Sequence, residues 1–257
     1  MERPTFIPEE EQRKMFAGLI ENTLQQDYNV CLDPSVKRAL IKVDRRNFIP
    51  EEYHEHRFED NVIPLQENES SISQPLLVAR MLHDAAFTGS EKALEVGTAV
   101  GMNAAYMSHL AQEVHTIEYS ETLARQAKEN LAREGRSNVT VHIGDGLVGL
   151  PAQAPFDRII VTAGARTLPV PLLDQLAVGG KMVIPIGEHP YTQALYTIEK
   201  TTEEDVNVES SLNVHFVPLI SNEVGGWPRG LINELKIMYD EYNRNAQAEE
   251  SGGVKYE

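Results

Sequence analysis

Residues 93–118, ALEVGTAVGMNAAYMSHLAQEVHTIE, constrain the fold more than any other stretch of the chain. Ala93, Leu94, Glu95 and Val96 read as a short buried strand, and Gly97 and Gly101 bracket a tight turn. The spacing then predicts a helix over 103–110 and a second strand over 114–117, closed by Glu118. Strand, glycine turn, helix, strand and terminal acid make a nucleotide-type βαβ unit. Glycine tolerates positive φ and lets the backbone approach a ligand, and a helix start offers unpaired N–H groups. Glu118, 21 residues beyond Gly97, falls where a carboxylate can accept hydrogen bonds from both hydroxyls of a ribose. An ordinary βαβ unit with an acid at a strand end has the same pattern.

The turn itself narrows the ligand. A dinucleotide fingerprint needs G-x-G-x-x-G, whose middle glycine makes room for a pyrophosphate. Here the turn reads Gly97-Thr98-Ala99-Val100-Gly101-Met102, with Ala99 in the middle. That argues against NAD or FAD. An adenosine ligand without phosphates, such as S-adenosylmethionine, needs less room.

The rest of the chain supports one large α/β domain or two small ones within 257 residues. Residues 8–26 are predicted to form an amphipathic helix, with Phe16, Leu19, Ile20 and Leu24 at helical spacing. A second helix starts at Asp33-Pro34, a cap followed by a first-turn proline, and 45–50 end it. Residues 53–71 are polar and irregular, either a functional loop or a solvated linker. Further helices are expected over 76–86, 120–133 and 169–176. Strands are expected over 138–143, 156–162 and 181–185, the last entered through a Gly179-Gly180 turn. Strands alternating with helices at this spacing imply a mostly parallel twisted sheet with helices on both faces. After Gly187 the rhythm changes: 193–199 and 209–217 read as an antiparallel pair at one sheet edge, joined by an acidic loop. Residues 220–230 read as a loop, 231–242 as a terminal helix, and 245–257 as a disordered tail. The organisation expected is an N-terminal helical segment with a substrate loop over 1–70, a catalytic domain over 71–230, and a C-terminal helix and tail over 231–257.

Composition excludes several classes. The formal net charge of −16 does not suit a sequence-independent grip on nucleic acid phosphates or an anionic membrane. The single cysteine, Cys31, rules out an intrachain disulfide and fits a reducing cytoplasm. No apolar run approaches a membrane span, and the N-terminus does not read as a signal peptide. The eight histidines and one cysteine show no metal-ligand spacing, so no metal is expected. There is no nucleophile elbow and no Walker loop.

In an open α/β sheet, ligands bind beyond the carboxyl ends of the strands. Four loops meet that description: 97–102, 118–119, 144–146 and 162–165. Asp145 can accept a hydrogen bond from an adenine amino group, with Gly146 leaving room for the ring, although Gly-Asp-Gly is also a good turn anywhere. Ahead of the 76–86 helix, Ser73 or Gln74 can cap the helix start. A hydroxyl there also lies beside free N–H groups, a place suited to holding a carboxylate.

Taken together, the motifs over roughly residues 34–227 resemble the protein-L-isoaspartate O-methyltransferase family. The matching stretches are VDRRNFIP at 43–50, SISQP at 71–75, EVGT at 95–98, GDG at 144–146, FDRIIVTAGA at 156–165, GGKMVIPIG at 179–187 and FVPL at 216–219. The SISQP and VTAGA segments are the family-specific ones. The resemblance implies a Rossmann-like class I methyltransferase fold with about seven strands. It also implies methyl transfer from S-adenosylmethionine to the α-carboxylate of L-isoaspartyl residues in age-damaged proteins, which starts repair through a succinimide.

By the same resemblance Ser73 matches the active-site serine, and Ser71, Ile72, Ser73 and Gln74 lie at both cofactor and substrate. Glu95, Gly97, Thr98 and Gly101 belong to the cofactor turn; Glu118 and Tyr119 match the ribose and adenine contacts; Asp145 and Gly146 match the adenine edge. Thr162 joins the cofactor side, while Ala163, Gly164 and Ala165 border the substrate groove. The 217–227 loop closes over the site, with Val217 against substrate. Because a carboxylate is ionised at pH 7, no general base is required, and Ser73 is expected to position the acceptor and not to act as a nucleophile.

The chain departs from the family pattern at several places. Ala99 stands for the usual glycine, Met102 for an aromatic, Leu65-Gln66 for an Ile-Gly pair, and Ser71 for threonine. The 68–71 segment is one residue longer, and the usual polar residues near 220–226 are not evident. Two other readings share the cofactor: methylation of aspartate in a dedicated peptide, and an interaction module that binds the cofactor without turnover. An RNA methyltransferase fits the charge least. A monomer is the default expectation.

Overall fold

The computed structural model describes residues 7–65, 70–188, 192–221 and 226. Nine strands and six α-helices occur among them. The chain opens with α1 (Glu9–Tyr28) and α2 (Pro34–Lys42). Asp33 caps α2 by accepting the Ser35 N–H at 2.7 Å, ahead of Pro34 in the first turn. Strands β1 (Ile63–Pro64) and β2 (Ser71–Ile72) pair antiparallel, and α3 (Pro75–Asp84) follows. Then come β3 (Lys92–Val96), α4 (Met102–Met107), β4 (Glu113–Glu118), α5 (Glu121–Arg133) and β5 (Val139–Ile143). Strand β6 (Phe156–Val161), helix α6 (Val170–Asp174) and the strands β7 (Leu176–Ile186), β8 (Gln193–Lys200) and β9 (Val206–Val214) complete the described elements.

The main sheet has seven strands in the order β5-β4-β3-β6-β7-β8-β9. All pairs from β5 to β7 are parallel, and β8 and β9 are antiparallel additions at one edge. The chain runs from β3 outward to β5, then crosses back to β6 on the other side of β3. That reversal opens a crevice at the carboxyl ends of β3, β4 and β6. Strand side chains alternate between two cores. Ala93, Ile160 and Val183 face the core shared with α1 to α5. Leu94, Val96, Ile159, Val161, Met182 and Ile184 face the second core, which includes Leu172 of α6 and Leu147. The N-terminal segment packs into the first core through Phe16, Ile20, Leu24, Val36 and Leu40. Arg45, in the VDRRNFIP stretch, lies over the Phe16 ring at 5.3 Å.

Several expected boundaries move. The Gly179-Gly180 pair lies inside β7, which begins at Leu176, and not ahead of the strand. Leu176 already pairs with Phe156, and the register then shifts so that Lys181 meets Arg158. Gly179 absorbs this irregularity at φ +81°, and a Cβ on Gly180 would meet the Ala177 carbonyl oxygen at 2.8 Å. Strand β9 begins at Val206, within the stretch read as an acidic loop, because the tight turn needs only the residues up to Asp205, whose carbonyl accepts the Thr201 N–H at 3.0 Å. The helix expected over 103–110 is α4, ending at Met107, with tighter turns to Leu110. The stretch read as irregular over 53–71 contains the β1–β2 hairpin and the end of a short 3-10 helix, Glu51–His56. The expected helix over 231–242, the tail over 245–257 and most of the 220–230 loop lie outside the described residues. Among the described residues no helix is long and apolar enough to cross a membrane.

Candidate active site

The glycine turn after β3 is held from three sides. Gly97, at φ +100°, donates its N–H to the Ile117 carbonyl at 3.0 Å. A Cβ there would come within 2.5 Å of the Thr162 hydroxyl oxygen. That hydroxyl donates toward the carbonyls of Val96 and Gly97 at 3.0 and 2.7 Å, locking the ends of β3 and β6 together. Gly101, at φ +90°, begins α4 and donates to Thr98 at 2.8 Å. Between them Ala99 adopts φ +46°, a left-handed conformation for a residue that bears a Cβ. The cost of that geometry is roughly 1 kcal/mol.

Glu118 ends β4 as expected, and its carboxylate is already positioned by the backbone. Ala99 donates its N–H to Oε2 at 2.7 Å, and Ser120 donates to Oε1 at 3.0 Å. Each oxygen keeps a further lone pair for a hydroxyl donor. Tyr119 follows, part-exposed at the mouth of the same cavity.

Behind Glu118 lies a second acid. Glu95 is fully buried on β3, yet it lines the cavity. Asn103 of α4 donates to Oε1 at 2.8 Å, and the Thr116 hydroxyl of β4 donates to Oε2 at 2.5 Å. The Thr98 hydroxyl bonds in turn to that of Thr116. Burial lifts the Glu95 carboxyl to about 7, with the Glu118 charge adding to the rise and the two donors opposing it.

Ser71 and Ile72 form β2, and Ser73 and Gln74 lead into α3. The structure corrects the expected capping. Neither Ser73 nor Gln74 caps α3 with its side chain. The cap is Asp60, from the segment before β1: its Oδ1 accepts the Leu76 N–H and its Oδ2 accepts the Gln74 amide N–H, both at 2.7 Å. The sequence offered the helix start as a place for a carboxylate, and Asp60 occupies it. Ser73 is left to face the cavity, which it lines with Ser71, Ile72 and Gln74.

The other expected residues divide. Gly146, Thr162, Ala163 and Val217 line the cavity. A Cβ on Gly146 would collide with Val96, so packing against β3 requires this glycine whatever the ligand. Asp145 is not among the lining residues; its carboxylate accepts the Leu147 N–H at 2.9 Å and the Ser221 hydroxyl at 2.7 Å. Gly101, Gly164 and Ala165 also stand behind the wall. Gly164 donates to the Val217 carbonyl and accepts from Leu219, both at 2.8 Å, and so fastens the 217–219 segment over the site. Gln193, which the sequence reading passed over, does the same work from β8. It is buried, donates to the Phe216 carbonyl at 3.1 Å and accepts the Phe216 N–H at 2.7 Å. A glutamine in step with Leu195 at the start of a strand was the available signal, as was Asp60 ahead of Pro64 in a polar stretch.

These residues enclose one cavity of about 1310 Å³. Its wall also takes in residues missed from sequence: Leu24 and Tyr28 of α1, Leu77 and Met81 of α3, and Leu212 of β9. Among the described residues no cluster of His, Cys, Asp and Glu could hold a metal ion.

A seven-stranded, mostly parallel sheet with a glycine turn, a strand-end acid in the cavity wall and an alanine at the middle of the turn defines a class I, S-adenosylmethionine-dependent methyltransferase. The family model described as Protein-L-isoaspartate(D-aspartate) O-methyltransferase (PCMT) matches residues 15–224. The chain is 41% identical over 195 residues to Protein-L-isoaspartate O-methyltransferase 1 of Geotalea uraniireducens, covering 76% of this chain and 88% of that protein. It is 44% identical over 208 residues to the Protein-L-isoaspartate O-methyltransferase of Ignicoccus hospitalis, covering 80% and 97%. A solved protein-L-isoaspartate O-methyltransferase superposes with a TM-score of 0.73 at 26% identity, over 83% of this chain and 67% of that one. A Plasmodium falciparum structure described as such an enzyme, in complex with S-adenosyl-L-homocysteine, superposes with a TM-score of 0.64 at 27% identity, over 80% and 99%. The chain belongs to the protein-L-isoaspartate(D-aspartate) O-methyltransferase family. It is a methyltransferase that uses S-adenosylmethionine and acts on isoaspartyl residues in proteins.

Proposed function

We propose that Ser73 orients the α-carboxylate of an isoaspartyl residue toward the methyl donor and forms no covalent bond itself. Bound S-adenosylmethionine supplies an electrophilic methyl group on a sulfonium sulfur. The acceptor carboxylate is ionised at neutral pH, so one oxygen can take the methyl group while the Ser73 hydroxyl holds the other. Alignment is then the main requirement, and Asp60 serves it by pinning the turn that carries Ser73.

Glu118 holds the ribose hydroxyls in this reading, with Tyr119 against the adenine. Thr98 and Gly97 border the donor's amino-acid end, above Glu95. Asp145, each of whose carboxylate oxygens already holds one donor, serves the adenine edge from behind Gly146. Ala163 and Val217 face the substrate. The observation that carries the reading is that Ser73, Glu118, Glu95 and Thr162 converge on one cavity from four separate segments. Residues 1–70 act as the substrate-facing segment, a division supported by Leu24, Tyr28, Val62 and Pro64 in the cavity wall. The enzyme works as a cytoplasmic monomer on damaged protein and not on nucleic acid, a reading supported by the net charge of −16 and the lone cysteine.

The test is methyl transfer from labelled S-adenosylmethionine to an isoaspartyl peptide beside its aspartyl twin, with mass spectrometry of Ser73 during turnover. Transfer to the isoaspartyl peptide alone, with Ser73 unmodified, is expected. Transfer to the aspartyl twin, or a methyl or acyl adduct on Ser73, would refute it.

A further inference from the structure

The cavity is larger than one small ligand needs. Sites for a drug-sized molecule run to roughly 300–1,000 Å³, and this one measures about 1310 Å³. Part of its wall is apolar and runs along α3. Ser73 precedes α3, so Leu77 lies at most two extended residues and two helical residues from it along the chain, within roughly 10 Å. Leu24 and Tyr28 of α1, Met81 of α3 and Leu212 of β9 stand in the same wall.

Exposed apolar side chains also stand in the cavity wall. Tyr28 is 45% exposed, Val62 56% and Val217 37%, all in the wall of this one cavity. Large apolar side chains left exposed together mark a surface that receives a partner. The one described cation in the lobe, Arg80, is tied through Nε to both carboxylate oxygens of Asp84 at 2.8 Å. That pair is neutral as a unit, so the lobe offers no net charge to attract a charged guest.

From this geometry we infer that the Leu24–Tyr28–Leu77–Met81–Leu212 lobe is a specificity subsite for an apolar side chain of the substrate polypeptide, two to three residues from the isoaspartate. The inference rests on the isoaspartyl methyltransferase reading of the site. The spacing follows from the geometry: an extended peptide advances roughly 3.3 Å per residue, so two or three residues span the distance from Ser73 to Leu77, where the lobe begins. The occupant is substrate because the lobe is continuous with the cavity that Ser73 lines.

The experiment uses the full chain loaded with S-adenosylhomocysteine and fluorescein-labelled isoaspartyl peptides. The residue two or three places before or after the isoaspartate is Leu, Ser or Glu. Anisotropy gives Kd, and the same peptides serve as methyl acceptors with S-adenosylmethionine. Burial of one leucine side chain predicts that the Leu peptide binds about tenfold or more tightly than the Ser peptide at one of these positions. In Leu77→Ser and in Tyr28→Ser the two peptides should come within about twofold. Tyr28 is part-exposed, so its variant keeps the test valid should Leu77→Ser fail to fold. Equal Kd for Leu and Ser peptides at every position overturns the inference and leaves the lobe to another occupant, such as the chain's own C-terminal residues or a second copy. A preference for Glu, or a Leu preference that survives both substitutions, overturns it as well. A Leu preference in Kd with no methyl transfer to any isoaspartyl peptide would count against the activity and leave the subsite standing.

Discussion

Asp60 and Leu76 are joined by a hydrogen bond of 2.7 Å between a carboxylate oxygen and a backbone N–H across sixteen residues of sequence. The contact ties the segment before the β1–β2 hairpin to the first turn of α3, and Gln74 completes it through the other oxygen at 2.7 Å. Ser73 sits inside the loop so closed. Replacing Asp60 by Ala removes the α3 cap, for which the expected loss is about 1 kcal/mol. In a domain of this size that lowers Tm by roughly 2–4 °C. Because the same change frees the turn bearing Ser73, kcat for methyl transfer should fall by about tenfold or more. Thermal denaturation and initial rates on one isoaspartyl peptide measure both; an unchanged kcat would show that Asp60 supports the fold alone.

Ala99 holds φ +46° because its N–H must reach Glu118, and a Cβ makes that conformation costly. Ala99→Gly is therefore expected to stabilise the protein by at most roughly 0.5 kcal/mol, less than the full strain because glycine gains freedom in the unfolded chain. Ala99→Val should destabilise it, since β-branched residues tolerate positive φ least. Urea unfolding midpoints of the three proteins decide this, and a destabilised Gly variant would contradict it.

Glu118 accepts two backbone N–H groups and keeps lone pairs free in the cavity. Glu118→Gln halves the acceptor capacity and removes the charge. Charge-assisted hydrogen bonds contribute roughly 1.5–3 kcal/mol each, so affinity for S-adenosylhomocysteine should drop by about tenfold or more. Calorimetry reads the loss directly, and circular dichroism should show the same fold.

Glu95 contributes a pH dependence opposite in sign to that of His109, whose imidazole is held down at about 4 by burial and by Arg136. The folded-state carboxyl of Glu95 is raised from 4.5 to about 7, mainly by burial. A raised pKa means the protonated form is favoured in the folded state. Its stabilising contribution is full below the unfolded value near 4.5 and is lost as pH rises toward and through 7. The slope from this one group is at most about 1.4 kcal/mol per pH unit. Glu95→Gln should remove this fall, so the variant gains stability relative to the parent as pH rises from 5 to 7 in the ligand-free protein, measured by denaturant unfolding from pH 5 to 8. A sulfonium beside Glu95 favours the ionised acid, so S-adenosylmethionine should bind more tightly as pH rises through 7, and more steeply than its neutral-sulfur product. Equal pH slopes for the two ligands would remove Glu95 from the donor's surroundings.

Much of the site was legible as pattern. Gly97 and Gly101 bracket the turn after β3, and a helix and a strand lead from Gly101 to Glu118; such local periods dictate a βαβ unit wherever they occur. Gly164 and Gly146 were legible as positions but not as reasons. Each is glycine because a side chain from another strand, Gln193 or Val96, occupies the space a Cβ would need. Capping failed in the same way. Ser73 and Gln74 stand at the right offset to cap α3, yet the cap comes from Asp60, fourteen residues before Gln74, because the hairpin folds that segment back over the helix start.

The order of strands and helices, the glycine turn and the strand-end acid are local properties, carried by spacing and backbone preference, and they suffice for the sheet and for the ligand class. Which carboxylate faces the cavity and which turns away into a hydrogen bond, as Asp145 does toward Leu147 and Ser221, depends on partners distant along the chain. So does the apolar lobe, whose walls come from α1, α3 and β9 and meet only when the first core closes. Side-chain partnership and cavity shape arise from packing between segments with no fixed separation in sequence, and no repeat or period in the chain encodes them.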